Sequence, residues 1–577
     1  MSHFRILITS VISGLLACAC ESRAPETITG TEVQAPEAGP TVTELAPSGN
    51  PRVGETTVLG PFAGLGAKLH PDNVAPHPVR FNGTDLGWSY LHDGKLQFLF
   101  GDTVADDTWA RIEPETDGLH DDIIGEIDLA EWPDPRPITP DNIPPLRLLQ
   151  SPDSGELLGI DPGFAMDDLK TPEAGFSNGE REFGLFILSK PLGCTSDAHC
   201  GSELACAPQL GYIGPRYTEQ AGLTLGCAEG RPGCVADTMV DASGSPIPGS
   251  GLCVDHSSSV WQDNAAGRFA SVAMLQRIAV RSLTEPNKYQ SIHDWLTNKF
   301  INTAMRTVQR FDPESAPDQA IQDYRPAGTD GESRRVLVWG RPGFTAVGAK
   351  GRSMNLYFAW ADMPVAPEFT WSLNYFTGID GAGIPQFSNR ESEAAALDLD
   401  ASAPGIQPNE TNDIIQHMSF AWVGPLGKWI MFYGGGIDVT PLPDWGLADC
   451  GVLEVFAGSD CKDVVTGRGS IYMRSADNPW GPWSEPQEII AGGDPKVPGS
   501  GQYGPGGMLY HPGCEGADCA PHHSFPELDP EANYGWFYGA NIIEQWIVPA
   551  GDGVDVLWNA STYDPYRVIL LRTHIDR

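Results

Sequence analysis

The sequence predicts an all-β chain that folds as a propeller. Gly and Pro are abundant, at 66 and 50 residues, and 16 Trp residues are spread along the chain. Short runs of aromatic and β-branched residues alternate with turn signals, which is typical of many short antiparallel strands. A propeller or a sandwich fits such strands in one large unit, and we favour the propeller. The runs that predict strands are 87–91, 96–100, 183–188, 335–339, 354–360, 418–423, 429–433, 469–474, 536–538, 556–558 and 566–571.

One segment departs from the β pattern. Residues 291–308 are predicted to form a helix, because four apolar side chains fall on roughly one side at helical spacing. These are Trp295, Phe300, Ile301 and Met305.

Composition and charge exclude several classes of function. The chain carries 75 acidic and 36 basic residues, a formal net charge of −39. Such a chain repels phosphate backbones, so no nucleic-acid partner is expected. A GxGxxG match at 499–504 is followed by no predicted helix and lies in no βαβ unit, so no cofactor is expected either. We also expect a monomer.

The first residues predict export. Arg5 precedes a largely apolar run at 6–17 that is too short to span a bilayer. Leu15-Leu-Ala-Cys18 resembles the lipobox of bacterial lipoproteins, which predicts a signal peptide at 1–18 and lipidation of Cys18. The alternative is ordinary cleavage near Cys20 and a free secreted protein. Residues 19–60 are rich in Pro, Glu and Thr and predict a disordered tether, so the protein would be anchored to the outer membrane or cell surface of a bacterium.

The cysteines fit an exported protein. Ten remain after the first two, and six of them fall between 194 and 253. No CxxC pair occurs among them, so disulfide bonds are favoured over zinc, and no metal site is expected. Residues 193–255 therefore predict a disulfide-rich insertion within a propeller domain at 75–577. The insertion is interpreted as a surface decoration rather than a binding module.

A predicted hairpin carries the strongest functional hypothesis. Asp93-Gly94 is typical of a two-residue type I′ turn between strands. In that register Asp85 lies directly opposite Asp102, with Cβ atoms about 4.5–5.5 Å apart. Two neighbouring carboxyl groups can split their pKa values and serve as the acid and base of a glycosidase. Capping of a loop by one Asp, or a bound cation, are the alternatives.

The same hairpin is similar to the opening of a bacterial family linked to endo-D-arabinanases. Thr84-Asp-Leu-Gly and Phe100-Gly-Asp-Thr carry the first likeness, and further motifs follow in the same order. They are 338–344, 374–378, 418–422, 427–433, 474–484 and 561–568. The resemblance implies a five-bladed β-propeller spanning about 75–577, apart from the cysteine-rich insertion.

The resemblance also implies a sugar-binding pocket at one end of the propeller axis. Asp85 and Asp102 transfer as the acidic pair, and Asp122 is a third carboxylate candidate from blade two. Arg341, His417 and Tyr503 are further candidates to contact the substrate. An exposed or structural role is the alternative for each of these four residues.

Two functions follow from the sequence. The first is a surface-anchored glycoside hydrolase that acts on a furanose-rich, arabinan-like polysaccharide by carboxylate acid–base chemistry. The second is a non-catalytic glycan-binding or adhesion propeller at the cell surface. The first requires both carboxylates to face an open axial pocket.

Overall fold

The described residues form a ring of antiparallel sheets. The structure is a computed structural model, and it describes residues 49–79, 82–104, 122–132, 138–163, 171–191, 274–297, 299–308, 335–341, 356–363, 371–397, 399, 417–434, 470–492, 501–503, 507–509, 537–562 and 566–577. It also describes the backbone of short strands between 193 and 254. All of these residues belong to the unit Pro47–Arg577.

Five blades make up the ring, and the strands of each blade are given from the innermost outwards. The first strand of the chain is β1 (Arg52–Gly64), which belongs to blade five. Blade one contains β2 (Gly83–His92), β3 (Lys95–Val104), β4 (Ile123–Asp128) and β5 (Arg147–Leu148). Blade two contains β6 (Thr171–Ser177), β7 (Glu182–Pro191), β16 (Met274–Arg281) and β17 (Tyr289–Thr297). Blade three contains β18 (Asn302–Val308), β19 (Arg335–Arg341), β20 (Tyr357–Asp362), β21 (Asn374–Ile379) and β22 (Pro385–Ser388). Blade four contains β23 (His417–Val423), β24 (Lys428–Gly434), β25 (Ile471–Ala476) and β26 (Gln487–Ile490). Blade five contains β27 (Phe537–Ala550), β28 (Gly553–Thr562), β29 (Arg567–Asp576) and β1. The expected five-bladed β-propeller is confirmed.

Short 3-10 helices join some strands. They are Pro71–Asn73, Pro140–Asn142, Glu391–Glu393 and Gly501–Tyr503. No helix in the part of the chain described above is long and apolar enough to cross a membrane.

The two ends of the chain close the ring together. β1 pairs antiparallel with β29, from Arg52 opposite Asp576 to Gly64 opposite Arg567. This pairing completes blade five and covers an otherwise exposed sheet edge. The propeller therefore begins at Arg52, which corrects the expected start at 75 and the expected end of the tether at 60. Sequence pattern alone did not assign 52–64, because its partner strand lies about 500 residues away.

The inner strands of neighbouring blades pack against one another around the axis. Every residue of β6 and of β18 is buried, because each strand has a blade on either side. Aromatic rings fill the wedges between blades. Trp339 of blade three stacks on Phe420 of blade four with centroids 4.1 Å apart and planes 7° apart. Such stacking adds to the large apolar area that both rings bury.

The predicted helix at 291–308 is wrong. Residues up to Thr297 belong to the outer strand of blade two, and Asn302 opens the inner strand of blade three. Trp295 and Phe300 still contact each other, with ring centroids 5.6 Å apart, but across the connection between two strands. Of the two strands, β18 is fully buried and β17 is partly exposed, and each has its backbone hydrogen bonds satisfied by a neighbouring strand, β19 and β16 respectively.

The cysteine-rich segment contains strands of its own. They are β8 (Gly193–Cys194), β9 (Ala205–Pro208), β10 (Tyr212–Ile213), β11 (Glu219–Gln220), β12 (Leu223–Gly226), β13 (Val235–Ala236), β14 (Thr238–Val240) and β15 (Gly251–Val254). They pair as β8-β15-β9, β11-β12-β14 and β10-β13. The expected disulfides lie outside the described side chains. The signal peptide, Cys18 and most of the tether lie outside the described residues.

Candidate functional site

Polar side chains converge where the inner strands begin, and we call this end of the axis the mouth. It is formed by Asp85 of β2, Glu173 of β6, Arg341 of β19, His417 of β23 and Tyr538 of β27. All five are buried, with exposures between 0% and 8%. Burial of so many polar groups costs free energy unless they serve one another or a ligand. All five blades therefore contribute a side chain to one site.

Asp85 is held by a hydrogen bond from blade five. The Tyr538 hydroxyl donates to Oδ2 of Asp85 over 2.6 Å. A hydrogen bond to the charged form of a carboxyl group favours that form. The next peptide is fixed as well, since the backbone N–H of Leu86 donates to the Ser561 hydroxyl over 2.7 Å. Blade five thus orients the carboxylate of blade one.

The hairpin turn is as predicted, but the register at its open end is not. Pairing runs from His92 opposite Lys95 to Trp88 opposite Leu99, as the Asp93-Gly94 turn requires. An extra residue, Gly87, then interrupts the ladder.

As a result, Asp85 lies opposite Gly101, not opposite Asp102. Gly87 has a φ of +85°, a conformation in which a residue with a side chain would be strained. Its carbonyl accepts hydrogen bonds from the side-chain amides of Asn541 and Asn559, so contacts with blade five produce the bulge. A turn rule that considers the hairpin alone misses this shift.

Gly101 makes room for the carboxylate. A Cβ atom on Gly101 would lie 2.6 Å from Oδ1 of Asp85 and 2.6 Å from Oγ1 of Thr171. Real Cβ atoms do not approach oxygen so closely, so any larger residue would displace both groups. The same distances place the Asp85 carboxylate beside the first residue of the blade-two inner strand.

Asp102 and Asp122 form a separate arrangement on blade one. Asp102 is partly exposed and has φ of +40°, a conformation that favours glycine or a locally supported Asp. Its backbone N–H donates to Oδ1 of Asp122 over 2.9 Å. Asp122 is fully buried and directly precedes β4, so it belongs to blade one, which corrects the expected blade two. The contact indicates that Asp122 supports the backbone of Asp102.

Glu173 is the carboxyl group that the sequence analysis missed. It is fully buried, and its Oε2 accepts the backbone N–H of Thr303, from blade three, over 3.2 Å. Burial raises the pKa of Glu173 to about 8, against the lowering effects of the Thr303 hydrogen bond and the Arg341 charge. The side chain is therefore mostly protonated at neutral pH. The sequence offered one signal, that Glu173 is the third residue of a short strand. No turn rule could determine the pairing register of that strand.

Arg341 and His417 extend the site to blades three and four. Burial, together with the positive charge of Arg341, lowers the pKa of His417 to about 3. His417 is consequently neutral at physiological pH, and it offers one donor and one acceptor nitrogen. Its ring lies 6.0 Å from Trp88 and 5.8 Å from Tyr538, measured between centroids. These rings give the mouth an aromatic wall.

A buried ion pair crosses the axis below the mouth. Arg306 lies four residues after Asn302 on the inner strand of blade three. Its guanidinium donates to the carbonyls of Phe420 and Ile542, and its Nε lies 3.2 Å from Oε1 of Glu544. One side chain thus ties blades three, four and five together across the axis. The described residues place the polar cluster of the mouth above this crossing.

Tyr503 ends the 3-10 helix Gly501–Tyr503, and its side chain lies outside the described part of the structure. Asp552, His574 and Asp576 bring possible metal-ligand atoms within 4.8 Å on the outer strands of blade five. The neighbouring carboxylates, Asp555 first, raise the pKa of His574, so this imidazole can itself balance their charge as a cation.

Neither a protein-family model nor a curated protein matches this chain. Among solved structures, an alpha-L-arabinofuranosidase from Podospora anserina in complex with cellotriose is 8% identical, with a TM-score of 0.29 over 92% of this chain and 98% of that chain. A GH62 hydrolase in complex with xylotriose is 9% identical, with a TM-score of 0.28 over 90% and 97%. A subtype N11 neuraminidase-like protein from a flat-faced bat isolate (H18N11) is 7% identical, with a TM-score of 0.25 over 91% and 97%. Similarity this distant transfers no activity to the chain.

Proposed function

We propose that this chain is a glycoside hydrolase whose active site is the mouth of the propeller. The observation that carries the proposal is a buried carboxylate, Asp85, fixed by Tyr538 and placed next to the strand that bears a second buried carboxyl group, Glu173. Hydrolysis of a glycosidic bond commonly needs two carboxyl groups in different protonation states. The mouth provides carboxyl groups in two different environments.

Asp85 is assigned the role of the ionised carboxylate. It either removes a proton from an attacking water or bonds the anomeric carbon itself, and the anomer of the first product distinguishes these mechanisms. A second carboxyl group must protonate the leaving oxygen. Asp102, partly exposed on the next strand, and Glu173, buried in blade two, are the two candidates.

The substrate is proposed to be a furanose-rich, arabinan-like polysaccharide. The resemblance of the hairpin motifs to a family linked to endo-D-arabinanases supports this choice. The neutral His417 and the cationic Arg341 can hydrogen-bond sugar hydroxyls, and Trp88 with Tyr538 gives the apolar faces that sugar rings pack against. Tyr503 remains a predicted contributor from the later blades.

The residues before β1, which begins at Arg52, are those that the sequence predicts to form a signal peptide and a tether. We propose that Cys18 is lipidated and that this segment tethers the propeller to the outer membrane or cell surface. Mass spectrometry of the mature N-terminus tests the lipid, and Cys18→Ser should move the protein from the membrane fraction to the soluble fraction.

Release of reducing ends from arabinan and a small glycan panel tests the activity. We expect Asp85→Asn to lower the rate by more than about 10²-fold, as loss of a catalytic acid–base group does. Asp362→Asn is the matched control, because Asp362 is 76% exposed and only pairs with Arg335 at the surface. Its rate should match that of the wild type, since exposed ion pairs contribute little.

Two results would overturn the proposal. One is equal activity of Asp85→Asn and the wild type. The other is a wild type that binds arabinan without cleaving any glycan of the panel, which would establish the non-catalytic binding function instead.

A further inference from the structure

The surroundings of Glu173 differ at its two oxygens. Oε2 accepts the Thr303 backbone N–H, which is held in place by the pairing of β18 with β19. Oε1 is buried and has no hydrogen-bond partner among the described residues. A buried acceptor without a partner is destabilising, so the lone position of this oxygen calls for an explanation.

A proton on Oε1 supplies that reason. A carboxyl group that already accepts an N–H at one oxygen places its own hydrogen on the other oxygen. The raised pKa of Glu173 is consistent with that protonated form at neutral pH. Oε1 then becomes an O–H donor without an acceptor among the described residues.

The location of Glu173 matches this use. It is the third residue of the blade-two inner strand, as Asp85 is the third residue of the blade-one inner strand. Thr171, two residues before it and so about 6.6 Å away along the strand, already lies beside the Asp85 carboxylate. The positive charge of Arg341 acts on both Glu173 and His417, so these three side chains are electrostatic neighbours.

We infer that Glu173 is the proton donor of the mouth, and that its Oε1–H protonates the oxygen that leaves the substrate. The inference rests on the proposed glycoside hydrolase activity and assigns to Glu173 the proton-donor role that the sequence gave to one member of the Asp85/Asp102 pair. Asp102 is partly exposed, and its backbone, held by Asp122, takes the left-handed conformation.

The reaction balances with water as the only co-reactant. The bond between the anomeric carbon and the glycosidic oxygen breaks, and its electron pair goes to that oxygen, which takes the proton from Glu173. In a single displacement, a water oxygen bonds to the anomeric carbon and gives one proton to Asp85. If Asp85 bonds the anomeric carbon first, a water then displaces it: the bond between Asp85 and the carbon breaks, its electron pair returns to the carboxylate, and the water gives one proton to Glu173.

Two substrates with different leaving groups test the role. One is arabinan, whose sugar alkoxide is a poor leaving group, and the other is a 4-nitrophenyl glycoside of an arabino-oligosaccharide, whose phenolate leaves without protonation. We expect Glu173→Gln to lower kcat/KM on arabinan by roughly 10²–10⁴-fold and on the aryl glycoside by less than about tenfold. Asp102→Asn should affect both substrates alike.

The controls separate catalysis from folding. Glu126→Gln removes a buried Glu whose partners are Lys95 and Arg147 in blade one, and it should leave the ratio of the two activities unchanged. The second measurement is the pH profile of the wild type. Its kcat/KM on arabinan should decline above about pH 8, and its kcat/KM on the aryl glycoside should decline less.

The possible failures are distinguishable. A wild type inert on both substrates overturns the proposed function and this inference with it. The role of Glu173 alone is overturned if the wild type is active but its pH profile shows no decline near pH 8, and if Glu173→Gln loses both activities equally or loses neither. A selective loss on arabinan in Asp102→Asn would return the role to Asp102.

Discussion

The buried carboxyl group of Glu173 should make the stability of the propeller depend on pH. Its pKa is about 8 in the folded protein against 4.5 for the free side chain. Between these values the unfolded chain binds fewer protons than the folded chain, so the free energy of unfolding falls as pH rises. The contribution is fully present below about pH 4.5 and is lost as pH passes through 8.

The size of the effect follows from the same values. The slope is at most about 1.4 kcal/mol per pH unit, and over the whole interval the loss is on the order of 5 kcal/mol. Glu173→Gln keeps the shape of the side chain but cannot ionise. We therefore expect the wild type to lose stability relative to Glu173→Gln by roughly 1 kcal/mol for each unit between pH 5 and 8.

Urea unfolding at pH 5, 6, 7 and 8 measures this difference. Glu126→Gln serves as the control, because salt bridges with Lys95 and Arg147 lower rather than raise the pKa of Glu126 despite its burial. From pH 5 to 8, the free energy of unfolding of Glu126→Gln should change in parallel with that of the wild type. Parallel curves for the wild type and Glu173→Gln would refute the reasoning, since Glu173 would then be ionised in the folded protein.

Three further predictions follow from the geometry of the mouth and the ring closure. Gly101→Ala should lower kcat/KM at least tenfold and cost about 1–3 kcal/mol in urea unfolding, because its methyl group would meet Asp85 and Thr171; an unchanged rate would show that their positions do not matter. Tyr538→Phe removes a hydrogen bond to a buried carboxylate and should lower kcat/KM by roughly 10–100-fold and the free energy of unfolding by about 1.5–3 kcal/mol; full activity would argue against this orienting role. Removal of residues 1–64 deletes β1 and should lower the melting temperature by on the order of 10 °C or cause aggregation, whereas removal of 1–48 should not; equal melting curves would contradict closure of the ring by β1.

Much of the fold could be predicted from local sequence. Short apolar runs and turn residues act over a few positions, so strands such as 418–423 and the Asp93-Gly94 turn were readable without neighbours. Residues 291–308 were not, because short apolar runs in a fully buried strand and in a helix give similar patterns. The pairing of β1 with β29 joins the two ends of the chain, which no local rule reaches.

The same division holds for the site. The sequence by itself determined that Asp85, Arg341 and His417 stand at strand ends, and the family resemblance implied that these ends line one end of the propeller axis. Only the tertiary structure decided the register at Gly87, because amides from blade five hold that carbonyl. It also decided the chemistry of Glu173: the pKa of a carboxyl group depends on the water and charges around it, and three blades had to pack before Glu173 lost its water.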